Sequence, residues 1–166
     1  LNSRIHAVGD GADWIRRQSQ EIFGSQGSFL CDFFHVSEYL GAAAQTCRPA
    51  QPDQWRHTQQ KRLRHGHAQK VIAALEEHLE AEATPEGETP VRNGLRYLNN
   101  RLECLDYPRA LELGLPIGSG MIESGHRHVL QARLKKAGAA WLSDHADQIA
   151  HLRVLRANHQ WLSLWN

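Results

Sequence analysis

Strand-forming segments are confined to the first forty residues of this chain, and that confinement limits the possible fold more than any other feature of the sequence. Ile5-His6-Ala7-Val8 is a short apolar run ending in Gly9-Asp10-Gly11, and Ser28-Phe29-Leu30-Cys31 is a second. Between them a helix is expected from near Asp13, carrying Trp14, Ile15 and Ile22 and stopping at Gly24. Asp32-Phe33-Phe34-His35 then leads into a segment in which Val36, Tyr39, Leu40 and Ala43 recur at helical spacing. Strand, helix, strand, helix is the α/β pattern of a sheet flanked by helices.

From about Gly41 to Arg109 amphipathic helices take over. Val71 or Ile72, Leu75 and Leu79 mark one helix. Thr89-Pro90 reads as a cap with proline at the first helical position, followed by Val91, Leu95, Leu98, Leu102 and Leu105. Residues 83–88 form the turn between the two. The last segment holds a helix around Glu123, a break at Ala137-Gly138 and a final helix from near Ser143, with Trp141, Trp161 and Trp165 expected to anchor it to the core. The chain is thus expected to be mostly helical: a partial α/β core over residues 1–40, an all-α insertion over 41–115, and closing helices over 116–166.

The length of 166 residues and a hydrophobic content of 41% suit one domain, or one domain with an insertion. No apolar run approaches the roughly 20 residues of a membrane span, and no signal peptide is recognisable. The sequence begins at Leu1 rather than Met, and it reads as cytoplasmic and truncated. Cys31, Cys47 and Cys104 are odd in number and lack CxxC spacing, so reduced thiols are expected rather than a disulfide framework or zinc ribbon. The formal charge of +1 conceals segregation along the chain. Basic residues gather from Arg56 through Lys61, Arg62, Arg64 and Lys70 and again after Glu123, while Glu76, Glu77, Glu80, Glu82, Glu86 and Glu88 lie between.

The stretch Leu115-Pro116-Ile117-Gly118-Ser119-Gly120-Met121-Ile122-Glu123-Ser124 delivers an acidic residue into the first turn of a basic helix. His126, Arg127, His128, Arg133, Lys135 and Lys136 follow, a setting that suggests metal-dependent phosphate chemistry. Asp10, at the end of the first strand between two glycines, leaves room for a metal and a phosphate, although Gly-Asp-Gly is also an ordinary turn. Asp32 and His35 stand three apart at a strand-to-helix junction, where Asp32 is expected to cap the helix in a structural or supporting role. The basic run from Arg56 to Lys70 reads equally as a solvated helix face or as a track for a DNA backbone.

Gly9-Asp10-Gly11, Cys31-Asp32-Phe33-Phe34-His35 and Gly118-Ser119-Gly120-Met121-Ile122-Glu123-Ser124, in this order, resemble the DDE transposases of bacterial insertion sequences over nearly the whole chain. The resemblance implies a partial RNase H-like core interrupted by an all-helical insertion. It implies that Asp10 and Glu123 are catalytic ligands of Mg2+ or Mn2+, and that Asp32 and His35 match the family's Asp/Cys-x-x-His signature. It also implies cleavage of DNA at element ends followed by strand transfer. Arg127, Arg133, Lys135, Lys136, Lys61, Arg62 and Arg64 are the expected DNA contacts. DNA and further copies of the protein are the expected partners, with no membrane, in a bacterial cytoplasm at the nucleoid.

One departure stands out. The family's first catalytic aspartate lies well upstream of the second, and only nine residues precede Asp10. The chain therefore reads as the C-terminal part of such an enzyme, inactive or nearly so alone. The alternatives are a non-catalytic helical DNA-binding module, a remnant or regulator of a transposable element, and a nuclease of related fold that never performs strand transfer.

Overall fold

The computed structural model describes residues 3–165. They fall into two compact units, one ending at Ser119 and the other starting at Gly120. The described residues are mostly helical, with a small two-stranded parallel sheet.

In the first unit β1 (Ile5–Gly9) pairs in parallel with β2 (Gly27–Cys31), in a register running from Ile5 opposite Gly27 to Gly9 opposite Cys31. Parallel strands cannot be joined by a hairpin, and α1 (Asp13–Phe23) makes the crossover. It stops at Gly24, whose φ of 50° is the left-handed conformation that glycine adopts without steric cost, with its N–H returning to the Gln20 carbonyl. The strands and this helix match the sequence reading to within a residue at most ends.

α2 (Phe33–Cys47) is the axis of the core. Phe33, Val36, Leu40, Ala43, Ala44 and Cys47 form its buried stripe, and it packs on α3 (Pro52–Arg64) and α5 (Pro90–Asn99). α2 runs without interruption through Gly41, so the strands and the following helices share one core. α4 (Ala68–Glu76) adds Val71, Ile72 and Leu75, and α6 (Tyr107–Glu112) adds Tyr107, whose ring meets Phe33 edge-on at 5.3 Å.

Two helix ends differ from the sequence expectation. Thr89 does not cap α5, because its hydroxyl donates to the Glu86 carbonyl. The cap comes from Glu80, whose carboxylate oxygens accept the N–H groups of Val91 at 2.7 Å and Arg92 at 3.0 Å. α5 ends at Asn99, short of Leu102 and Leu105, and a 3-10 turn (Leu102–Cys104) follows that leaves Leu102 exposed and Leu105 buried.

The second unit contains α7 (Gly120–Gly125), a π-helical turn (His126–Gln131), α8 (Ala132–Leu134) and α9 (Ser143–Ala157). Gly138, at φ 76°, marks the expected break. None of this unit's described residues is buried. Trp161 and Trp165 therefore do not serve as core anchors: they are 40% and 73% exposed, and their rings meet edge-on. Trp141 is half-buried, donating its indole N–H to the Leu134 carbonyl at 3.1 Å, with the Arg133 guanidinium 5.1 Å above its ring. No helix among the described residues is long and apolar enough to cross a membrane.

Candidate functional site

The two strands end side by side, and the chain leaving each is tied to the other. The Asp32 N–H donates to the Gly9 carbonyl at 2.6 Å, extending the ladder by one bond past Cys31. Asp10 is exposed, and its Oδ1 accepts the Ala12 N–H at 2.9 Å in a local side-chain turn. Gly11 follows at φ 80°, where a Cβ would lie 2.5 Å from the Arg101 Nε. The carbonyls of Asp10 and Gly11 point inward: the first accepts the Tyr97 hydroxyl at 2.7 Å, the second the Arg101 Nε at 2.7 Å. Burial pushes the Tyr97 phenol up from its ordinary value, so it stays a protonated donor.

Asp32 caps α2, its Oδ1 accepting the N–H groups of Phe34 at 2.7 Å and His35 at 3.4 Å. Its other oxygen accepts the Ser119 N–H at 2.8 Å and the Ser119 hydroxyl. Burial works to raise this carboxyl, but the hydrogen bonds from Ser119, Phe34 and His35 prevail and hold it below its ordinary range. A backbone bond from the Phe33 N–H to the Ile117 carbonyl, at 2.8 Å, fixes the same junction. The first glycine of the Gly-Ser-Gly turn has a steric reason: a Cβ on Gly118 would lie 2.5 Å from the Phe34 ring and 3.2 Å from Asp32 Oδ1. Gly9-Asp10, Cys31-Asp32 and Ile117-Gly118-Ser119, far apart in sequence, are thus one hydrogen-bonded assembly.

His35 faces Glu38, with Nδ1 3.2 Å from the carboxylate, and its ring meets Tyr39 and Tyr97 edge-on at 5.4 and 5.6 Å. Its surroundings are aromatic.

In the second unit Glu123 is exposed on α7, and Arg127 lies in the π-helical turn that follows. Such turns are rare and recur at functional sites. Two successive carbonyls of this turn, of His128 and Val129, are fastened by the Arg153 guanidinium from α9. Arg127, Arg133, Lys135 and Lys136 are exposed.

The basic residues of α3 divide. Lys61 is exposed; Arg64 is exposed but stacks its guanidinium 4.6 Å above the Phe33 ring. Arg62 is bound within the fold, donating to Gln59 Oε1 at 3.0 Å and to the Lys70 carbonyl at 3.2 Å. All three occupy the last turn of α3, where cations also offset the helix dipole.

Among the described residues, no group of three or more His, Cys, Asp or Glu side chains is placed to hold an ion. Mg2+ is commonly held through one or two carboxylates with water completing its shell, and the exposed carboxylate of Asp10 offers that kind of hard oxygen donor. The thiols of Cys31, Cys47 and Cys104 are free and buried. Tyr97, Arg101 and Glu80 carry no motif that sequence reasoning uses.

A family model described as "Uncharacterised protein family (UPF0236)" matches residues 2–163. No curated protein and no solved structure matches the chain.

Proposed function

The chain belongs to the UPF0236 family, and from its own geometry we propose that it is a DDE-type transposase chain with an RNase H-like core. The observation that carries the proposal is the assembly around Asp32. Three motifs that resemble the transposase pattern are distant in sequence, yet Asp32 binds Gly9 through its N–H and Ser119 through its carboxylate. A chance match of short motifs gives no reason for that joining.

In this reading Asp10 and Glu123 hold Mg2+ or Mn2+, which when bound activates water or a 3′-hydroxyl and stabilises the charge developing at the phosphate. Asp32 is a structural clip. One of its oxygens starts α2 and the other fixes the turn that leads into the Glu123 helix. His35 supports the Asp10 strand end from the aromatic side. Arg127, Arg133, Lys135, Lys136, Lys61 and Arg64 bind DNA phosphates, whereas Arg62 serves the fold. A multimer is the form in which two DNA ends would be held together.

The test is nicking and joining of DNA carrying the element's ends, in Mg2+ and in Mn2+. Metal-dependent nicking and joining, both abolished by Asp10→Asn and by Glu123→Gln, is expected. DNA binding that ignores Mg2+ and survives both changes would assign a non-catalytic DNA-binding module instead. Nicking without joining would assign a nuclease.

A further inference from the structure

We infer that Tyr97, near the end of α5, and Arg101, just beyond it, are positioning residues that set the direction of the Asp10 carboxylate. The inference rests on the reading of Asp10 as a metal ligand, but its geometry stands independently.

Asp10 and Gly11 are consecutive, and both of their carbonyls turn inward to side-chain donors, Tyr97 Oη and Arg101 Nε, each at 2.7 Å. The positive φ of Gly11 permits this turn, and the close approach of Arg101 leaves no room for a Cβ there. With the backbone held on its inner side, the Asp10 side chain is left exposed. One of its oxygens is then fixed by the Ala12 N–H, and the other lies outside that hydrogen bond. A carboxylate fixed through its own backbone has little freedom to lose when a cation binds.

The two donors are themselves braced. The Arg101 guanidinium lies 4.3 Å over the Tyr97 ring, and its Nη1 reaches the Tyr97 carbonyl at 3.4 Å. Tyr97 stacks on Tyr39 at 4.3 Å with an interplanar angle of 23°, and His35 meets both rings edge-on. His35 is thereby connected to Asp10 through Tyr97. The insertion, on this account, is part of the strand-end site.

Tyr97→Phe tests the inference with little disturbance to folding, because the ring stack remains and only the hydroxyl is lost. Arg101→Gln removes the second donor, and Arg101→Lys keeps the charge without the Nε donor. Two quantities are measured on the full chain: hydrogen exchange at the Ala12 amide, and Mn2+ affinity from the electron paramagnetic resonance signal of the free ion, with Asp10→Asn as reference. Tyr97→Phe and Arg101→Gln are expected to speed Ala12 exchange and to weaken Asp10-dependent Mn2+ binding about 10-fold, the usual effect of removing a group that orients a ligand. Arg101→Lys should fail to restore either. Unchanged Ala12 exchange in both Tyr97→Phe and Arg101→Gln would overturn the positioning role. Faster exchange without any Asp10-dependent Mn2+ binding in the unsubstituted chain would leave the clamp standing and refute the metal-ligand reading. Faster exchange with unchanged Mn2+ affinity would show that the clamp orders the turn without positioning the carboxylate, which also overturns the inference.

Discussion

Replacing Asp32 by asparagine isolates the clip that joins the Gly-Ser-Gly turn to the start of α2. Asparagine keeps the size of the side chain and one acceptor, so the cap on Phe34 and His35 survives. Its amide NH2, however, faces the Ser119 N–H, which the aspartate accepts at 2.8 Å. The Ser119 hydroxyl can rotate to accept, but the N–H cannot, and a partly buried donor without a partner costs about 1–3 kcal/mol. We expect Asp32→Asn to lose about 2 kcal/mol at neutral pH. Asp32→Ala should lose about 4, since the cap adds roughly 1 kcal/mol and each charge-assisted bond about 1.5. Against a typical stability of about 5–15 kcal/mol, the first loss lowers the urea midpoint by about 1 M. The pH dependence gives a second signature. The folded-state carboxyl is held below its ordinary value of 3.8, so its contribution is present in full above that value and disappears as pH falls through the lower, folded value. Urea midpoints at pH 7, 5 and 3 should therefore show an acid limb in the unsubstituted chain that is diminished in Asp32→Asn. A variant as stable as the parent, with the same acid limb, would refute the clip.

Gly11→Ala should destabilise by about 2 kcal/mol or more, because it forces a Cβ into a positive-φ position and against Arg101; urea unfolding checks this. Glu80→Gln should weaken the α5 cap by about 1 kcal/mol and speed hydrogen exchange at the Val91 and Arg92 amides, while Thr89→Val should leave those amides protected. If α3 binds DNA, Lys61→Ala and Arg64→Ala should each reduce the salt slope of duplex binding by about 1, read from fluorescence titrations at several salt concentrations. Arg62→Ala should instead lower the thermal midpoint, because its donors serve Gln59 and Lys70.

The βαβ start was legible in the sequence because its signals are local. Ile5 to Val8 and Ser28 to Cys31 are short apolar runs bounded by turn residues, Gly24 supplies a left-handed stop, and Asp32 sits where a capping oxygen is needed. The Gly-Ser-Gly stretch was legible as the entry to the Glu123 helix, but the packing of Gly118 against Phe34 and Asp32 was not. What escaped depends on pairings between distant residues. Glu80 caps α5 from eleven residues away, displacing a Thr-Pro cap that looked sufficient in sequence. Tyr97 and Arg101 reach the Asp10 turn across 87 and 90 residues, and no local sequence signal marks either of them. The tryptophans near the end were misread because aromatic residues favour cores, yet the second unit buries no described residue. The basic run on α3 was legible as charge, but only the structure separates Arg62, bonded within the fold, from exposed Lys61 and Arg64.

The most direct test of the account is the position of Mn2+ in crystals of the full chain, located from its anomalous scattering. The account predicts a peak in coordination distance, about 2.0–2.2 Å, of an Asp10 carboxylate oxygen, and loss of that peak in Asp10→Asn. No ion at Asp10 would contradict it.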